Sequence, residues 1–186
     1  MNDTHRGYDG LDENVIRKIK AIRLLILDVD GVMTDGRIIM DDTGREIKNF
    51  NVKDGHGIKM LMRYGIDVVL LTGRRSQVVE HRARDLNIAE VHQGIHDKLD
   101  IFNEILRKRA LNNENVAFIG DDLVDIPLLR RAGFSVTVAD ASEEVKGFVD
   151  YITSKVGGNG AVREICDMIL RCQGKWTDVS QRYDMS

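Results

Sequence analysis

Short apolar segments alternating with helical patterns predict an α/β fold: a doubly wound, mostly parallel sheet. The segments Leu24–Leu27, 68–71, Val116–Ile119 and 135–138 are brief, branched-rich and bounded by polar or glycine turns. Strands buried on both faces read this way. Between them, apolar residues recur at helical spacing in Ile58/Leu61/Met62, Val79/Ala83/Leu86, Leu99/Phe102/Ile105/Leu106 and Val162/Ile165/Cys166/Ile169. Weaker strands are expected at 90–92 and 150–152. Each helical stripe is a core face and carries no chemistry of its own.

One segment breaks this rhythm. Residues 36–40 and 45–52 flank Asp41-Asp42-Thr43-Gly44, a turn sequence, and predict a β-hairpin insertion over 36–52. Ile38, Met40, Ile47, Phe50 and Val52 leave both of its faces partly apolar. Since an isolated hairpin is only marginally stable, it is expected to pack on its own sheet or on a neighbouring subunit.

Composition bounds the function. The 186 residues are 42% hydrophobic and 31% charged, with a net charge of −3 and a pI near 6.0. This balance gives neither nucleic acid nor an anionic membrane a reason to bind. Apolar runs such as Val68-Val69-Leu70-Leu71 are too short to span a bilayer. The polar start, 1–14, resembles neither a signal nor a transit peptide. Cys166 and Cys172, six residues apart, form neither a metal motif nor a disulfide framework, which predicts reduced thiols and a cytoplasmic protein. A single domain over 1–186 is expected, with a loose tail over 173–186.

The chemistry-bearing residues stand at strand ends. Asp28-Val29-Asp30-Gly31 follows Leu24–Leu27, at the edge where open α/β sheets bind ligands. Two acids one residue apart repel, and burying them is costly unless a cation lies between them, so the pair suits Mg²⁺ and a carboxylate nucleophile. Thr72-Gly73-Arg74 ends the second main strand. Asp97-Lys98 opens a helix, and a cation in the first turn opposes the helix dipole unless it faces an anion. Gly120-Asp121-Asp122 follows the fourth segment, with Asp125 four residues past Asp121. On its own, Asp125 reads equally as a helix cap or a site residue, and Asp122 as a loop acid. One nucleophile, one hydroxyl, one ammonium and several carboxylates at one sheet edge meet the needs of phosphoryl transfer.

These four ordered motifs resemble those of the haloacid dehalogenase-like phosphatases. The resemblance implies that Asp28 attacks phosphorus and that Asp30 protonates the leaving oxygen and later activates water. It also implies that Thr72 and Lys98 hold the phosphoryl oxygens, and that Mg²⁺ binds Asp28, the backbone carbonyl of Asp30, and Asp121. Family members usually carry a cap domain. Here 43 residues separate Asp28 from Thr72 and 25 separate Thr72 from Lys98, too few for one. Among capless members, Asn51-Val52-Lys53-Asp54-Gly55-His56-Gly57, Thr72-Gly73-Arg74-Arg75-Ser76 and Gly157-Gly158-Asn159-Gly160-Ala161-Val162-Arg163-Glu164 resemble the 3-deoxy-D-manno-octulosonate 8-phosphate phosphatases. That resemblance implies a homotetramer, an acidic sugar phosphate as substrate and a role in making the Kdo of lipopolysaccharide. Lys53, Gly73 and Arg74 are the expected substrate contacts, with Arg74 gripping the sugar carboxylate. Asp54 and Ser76 are expected to be helix caps.

Three rivals remain at this stage. A phosphatase for a nine-carbon acid sugar 9-phosphate shares the terminal phosphate and 2-keto acid. A signalling receiver domain also uses Asp, Mg²⁺, Thr and Lys, but its acceptor Asp follows a later strand. A catalytically dead assembly module is opposed by the intact set of Asp28, Asp30, Thr72, Lys98 and Asp121.

Overall fold

The computed structural model describes residues 10–185. The expectation for 1–14 therefore lies largely outside the described residues. Six parallel strands are β1 (Leu24–Leu27), β4 (Asp67–Thr72), β5 (Glu90–Gln93), β6 (Val116–Ile119), β7 (Phe134–Thr137) and β8 (Tyr151–Ile152), in the order β5-β4-β1-β6-β7-β8. β1 is central, registered with β4 through Leu24↔Asp67 and with β6 through Leu24↔Val116. Chain order reverses between β1 and β6, which makes their C-terminal ends the expected ligand crevice.

Side chains on β1 alternate between two cores, as the twofold period of a strand requires. Leu25 and Leu27 pack with α1 (Glu13–Lys20), α2 (Val52–Arg63), α3 (Gln77–Leu86), α7 (Ala161–Cys172) and α8 (Trp176–Arg182). Leu24 and Ile26 pack on the other face with α4 (Lys98–Arg109), α5 (Ile126–Leu129) and α6 (Glu143–Lys146). No helix among the described residues is long and apolar enough to cross a membrane, and Cys166 and Cys172 are free.

Two expectations need correction. The hairpin strands are only β2 (Ile39–Met40) and β3 (Glu46–Ile47). Residues 48–51 lead instead into α2, where the Asn51 side chain accepts from the Lys53 amide at 2.7 Å, so Val52 is helical. Of the expected loose tail, Trp176–Arg182 are helical. They fold into α8 because Trp176 and Val179 bury against the core and the Arg171 guanidinium stacks 3.6 Å over the Trp176 ring.

Candidate active site

Strand β1 delivers Asp28 directly: its amide donates to Ile119 O at 3.0 Å, so Asp28 extends the sheet ladder. The chain then turns through Gly31, whose φ of +84° suits glycine and whose missing Cβ admits Asp121. A Cβ there would stand 2.0 Å from Asp121 Oδ2. Thr34 Oγ1 accepts from the amides of Gly31 (3.4 Å) and Gly36 (3.3 Å) and fixes the loop. Behind it, Gly158 N donates to Val32 O at 2.9 Å. A Cβ on Gly157 would fall 1.8 Å from Gly31 O. The glycine-rich motif before α7 is thus a buttress for the Asp28–Gly31 turn.

That buttress is itself pinned. Asp54 caps a helix, but α7 rather than its own: its carboxylate accepts from Gly160 N at 3.2 Å and Arg163 N at 2.8 Å. Ser76 stands at the start of α3 without a side-chain capping bond.

Lys98 is buried although it is a lysine, and its partners explain why. Its Nζ lies 2.6 Å from Asp125 Oδ1 and 3.2 Å from Asp28 Oδ1. Burial works against its charge, yet Asp28 and Asp125 outweigh burial and hold the ammonium above its ordinary range. Asp125 is fully buried, and its Oδ2 also accepts from the amides of Asp121 (3.0 Å) and Asp122 (3.3 Å). Asp125 makes no side-chain capping bond to α5, the helix that follows it, but it closes the capping box that starts at Asp122 and ties the β6 loop to Lys98. Asp122 is exposed and accepts from the Leu123 amide at 2.8 Å.

A cavity of about 330 Å³ gathers Asp28, Asp30, Gly31, Thr72, Gly73, Arg74, Lys98, Asp121 and Asp122, with Val124 at its lip. Nine of the expected residues thus meet at one sheet edge or, for Asp125, directly behind it. Lys53 does not. It is exposed and lines a separate cavity with Lys155, Asn159 and Arg163. Arg74 is present but already engaged, with Nη2 at 3.0 Å from Glu46 Oε1 and Nε at 3.7 Å from Asp30 Oδ2.

The chain is similar to known phosphatases. The haloacid dehalogenase-like hydrolase profile matches residues 86–165, which carry Lys98, Asp121 and Asp125. The 3-deoxy-D-manno-octulosonate 8-phosphate phosphatase of Escherichia coli (strain K12) is 48% identical over 168 residues, covering 90% of this chain and 89% of that protein. The chain belongs to that phosphatase family. A crystal structure of the Yersinia pestis phosphatase superposes with a TM-score of 0.87 at 48% identity, covering 89% of each chain. The Moraxella catarrhalis phosphatase, solved with a magnesium ion, a phosphate ion and a KDO molecule, gives 0.89 at 40% identity and covers 91% of this chain and 97% of its own.

The acid cluster of this family member fits a divalent cation. Carboxylate oxygens of Asp28, Asp121 and Asp125 lie within 4.8 Å of one another. Burial pushes the Asp28 carboxyl up to about 6 against the pull of Lys98. Burial, then Asp28, Asp125 and Asp122, pushes Asp121 up to about 8. Asp28 Oδ1 is buried without an aligned hydrogen bond. Such a cluster lacks positive charge. Both oxygens of Asp125 already accept hydrogen bonds, from Lys98 and from the Asp121 and Asp122 amides, so Asp28 and Asp121 have the freer oxygens of the three. The Asp30 side chain is not in the cluster, so any share it has in the cation comes from its backbone.

Lys48 and Glu46 reach the site without standing in any of the four motifs. Lys48 pairs with Asp30 Oδ1 and lies 3.1 Å from Glu46 Oε1, with its side chain only 1% exposed. The signal was available: Glu46-Ile47-Lys48 alternates, which puts the two charges on one strand face and the exposed Ile47 on the other.

Proposed function

We propose that this chain is a Mg²⁺-dependent phosphomonoesterase that hydrolyses 3-deoxy-D-manno-octulosonate 8-phosphate to Kdo and inorganic phosphate. The observation that carries the reading is the near-full-length match to phosphatases of that name together with an intact pocket of Asp28, Asp30, Thr72, Lys98 and Asp121. Asp28 Oδ attacks phosphorus as the bond to the sugar oxygen breaks, and the Asp30 carboxyl gives that oxygen its proton. Water then attacks the aspartyl-phosphate, the Asp28–phosphorus bond breaks, and Asp30 takes the water's proton. Lys98 and the Thr72 hydroxyl hold phosphoryl oxygens, while Asp125 keeps Lys98 aimed at them. Mg²⁺, held by Asp28, Asp121 and the Asp30 carbonyl, supplies charge neutralisation for the crowded oxygens.

Gly73 and Arg74 sit where the sugar would lie, and Arg74 is free enough, at 42% side-chain exposure, to exchange Glu46 for a substrate carboxylate. Lys53 would reach a sugar only across a subunit boundary. The reading therefore includes a homotetramer in which hairpins associate and roof neighbouring sites. Supporting it, Ile38, Ile39, Met40 and Ile47 are 58%, 40%, 57% and 54% exposed on the hairpin, an edge that is hazardous if left unpaired. The free cysteines suit the cytoplasm, where a lipopolysaccharide sugar precursor would be dephosphorylated.

Phosphate release from a panel of sugar phosphates, with Mg²⁺ present or chelated, tests the reading. Kdo 8-phosphate should exceed p-nitrophenyl phosphate by orders of magnitude in kcat/KM, because remote binding energy lowers the barrier only for the true substrate. A panel led by a nine-carbon acid sugar 9-phosphate would move the assignment there.

A further inference from the structure

We propose that Lys48 is a positioning residue for Asp30: from the hairpin, its ammonium fixes the carboxyl that protonates the leaving oxygen. The inference rests on the phosphatase reading above and extends it to a residue outside the four motifs. Two cations approach Asp30, and they differ in kind. Arg74 Nε stands 3.7 Å from Oδ2 on a half-exposed side chain that also reaches Glu46. Lys48 contacts Oδ1 from a side chain that is 1% exposed, with Glu46 Oε1 as its second carboxylate at 3.1 Å. A lysine so buried is rare unless paired, and its two acids define its place. Arg74 can swing away; Lys48 has nowhere else to put its charge.

The geometry separates the two oxygens of Asp30. Oδ1 is taken by Lys48, which leaves Oδ2, on the Arg74 side, for the reacting oxygen. When the Asp30 O–H bond breaks and the proton passes to the leaving sugar oxygen, negative charge appears on Asp30 beside a fixed ammonium. A preorganised cation stabilises that charge without reorganisation. Glu46 holds Lys48 in turn, and Phe50, packed against the core beneath the Arg82 guanidinium, anchors the chain that follows. The hairpin thus serves its own subunit's acid as well as any neighbour.

The leaving group supplies the test. A sugar alkoxide must be protonated as it departs, whereas p-nitrophenolate leaves without a proton. For Lys48→Met we expect kcat/KM to fall roughly 100-fold on Kdo 8-phosphate and by less than about threefold on p-nitrophenyl phosphate. Lys48→Arg, which restores a cation, should recover most of the loss on the sugar ester alone. Because kcat/KM ends at the first irreversible step, slowed hydrolysis of the phosphoenzyme does not enter. The ratio of the two substrates on one preparation also cancels any fraction of unfolded protein. Equal losses on both esters, or no loss on either, would overturn the proposal and leave Lys48 as hairpin packing. Failure of the substrate assignment would look different: the wild-type enzyme would prefer another sugar phosphate, and the contrast would then be measured on that ester.

Discussion

Lys98 and Lys48 are both buried lysines, each held between two carboxylates, yet they belong to different parts of the molecule. Lys98 opens α4 and meets Asp125 and Asp28, groups carried by the parallel sheet. Lys48 follows β3 of the hairpin and meets Asp30 and Glu46. Sheet contacts fix the first pair whatever the hairpin does. The second joins a two-strand appendage of exposed isoleucines to the acid that handles protons. The proposed function therefore puts phosphoryl binding in the core and proton transfer at its border with the appendage. Damage to the core should remove chemistry outright, and damage to the hairpin should grade it.

The largest effect should come from Asp28→Asn. An amide cannot serve as the attacking oxygen, so turnover should fall on the order of 10⁴-fold or more. The substitution also removes a carboxyl that burial makes costly to ionise, so thermal unfolding of the Mg²⁺-free variant should occur at or above the wild-type temperature. Near-normal turnover would show that another group attacks phosphorus.

Asp125→Ala should follow, acting through stability as well as activity. It would leave the buried Lys98 ammonium with Asp28 alone and strand the Asp121 and Asp122 amides. Breaking a buried pair from one side costs about 3–5 kcal/mol. Urea unfolding should show a loss of that order for Asp125→Ala. The less buried Lys48–Asp30 pair should cost less when cut by Lys48→Met, and if the two losses were equal, the distinction between core and border would collapse.

The core half of this comparison was legible in the sequence, and the border half was not. Leu24–Leu27 followed by Asp28 is a contiguous signal: apolar run, then charge, with the sheet forcing the acid to its edge. Lys98 could be read because a cation at a helix start needs an anion. Lys48 was hidden because the hairpin was weighed by its apolar residues, while its contact with Asp30 depends on how a loop folds back. Arg74 lines the pocket, but its present partners, Glu46 and Asp30, follow from the same fold-back. The tail looked loose because Trp176 and Val179 are too few to declare a helix, and only the folded core beside α7 gives them a place to bury. Lys53 was read from a motif resemblance, and a motif does not fix which cavity of the fold its residue lines.

Charges on the outer face of the hairpin give a milder perturbation. Ile38→Asp or Ile47→Glu should lower the oligomer in sedimentation equilibrium and reduce activity on Kdo 8-phosphate together, since both residues are more than half exposed in the single chain. Activity on p-nitrophenyl phosphate, which needs no sugar contact, should fall less. A fully active monomer would show that the hairpin works only within its own subunit, through Lys48.

A pH dependence confined to the core separates it from the border in another way. Burial and like charges raise Asp121 to about 8 and Asp28 to about 6, against an unfolded value near 3.8. Between those limits the folded Mg²⁺-free protein keeps protons that the unfolded chain has released. The folded state binds more protons, so this contribution is complete below pH 3.8 and is lost as pH rises through about 6 and then 8. Unfolding temperature without Mg²⁺ should therefore decline from pH 5 to pH 8, by about 2–4 °C for each kcal/mol lost in a chain of this size. Mg²⁺ binds the ionised carboxylates, so the stabilisation it adds should grow over the same interval. Asp121→Asn should flatten both trends, while Lys48→Met, which leaves the cluster intact, should preserve them. Differential scanning calorimetry at fixed ionic strength, with and without Mg²⁺, reads these curves for all three proteins. A Mg²⁺ increment that was larger at pH 5 than at pH 8 would mean that the cation is not held by Asp28 and Asp121.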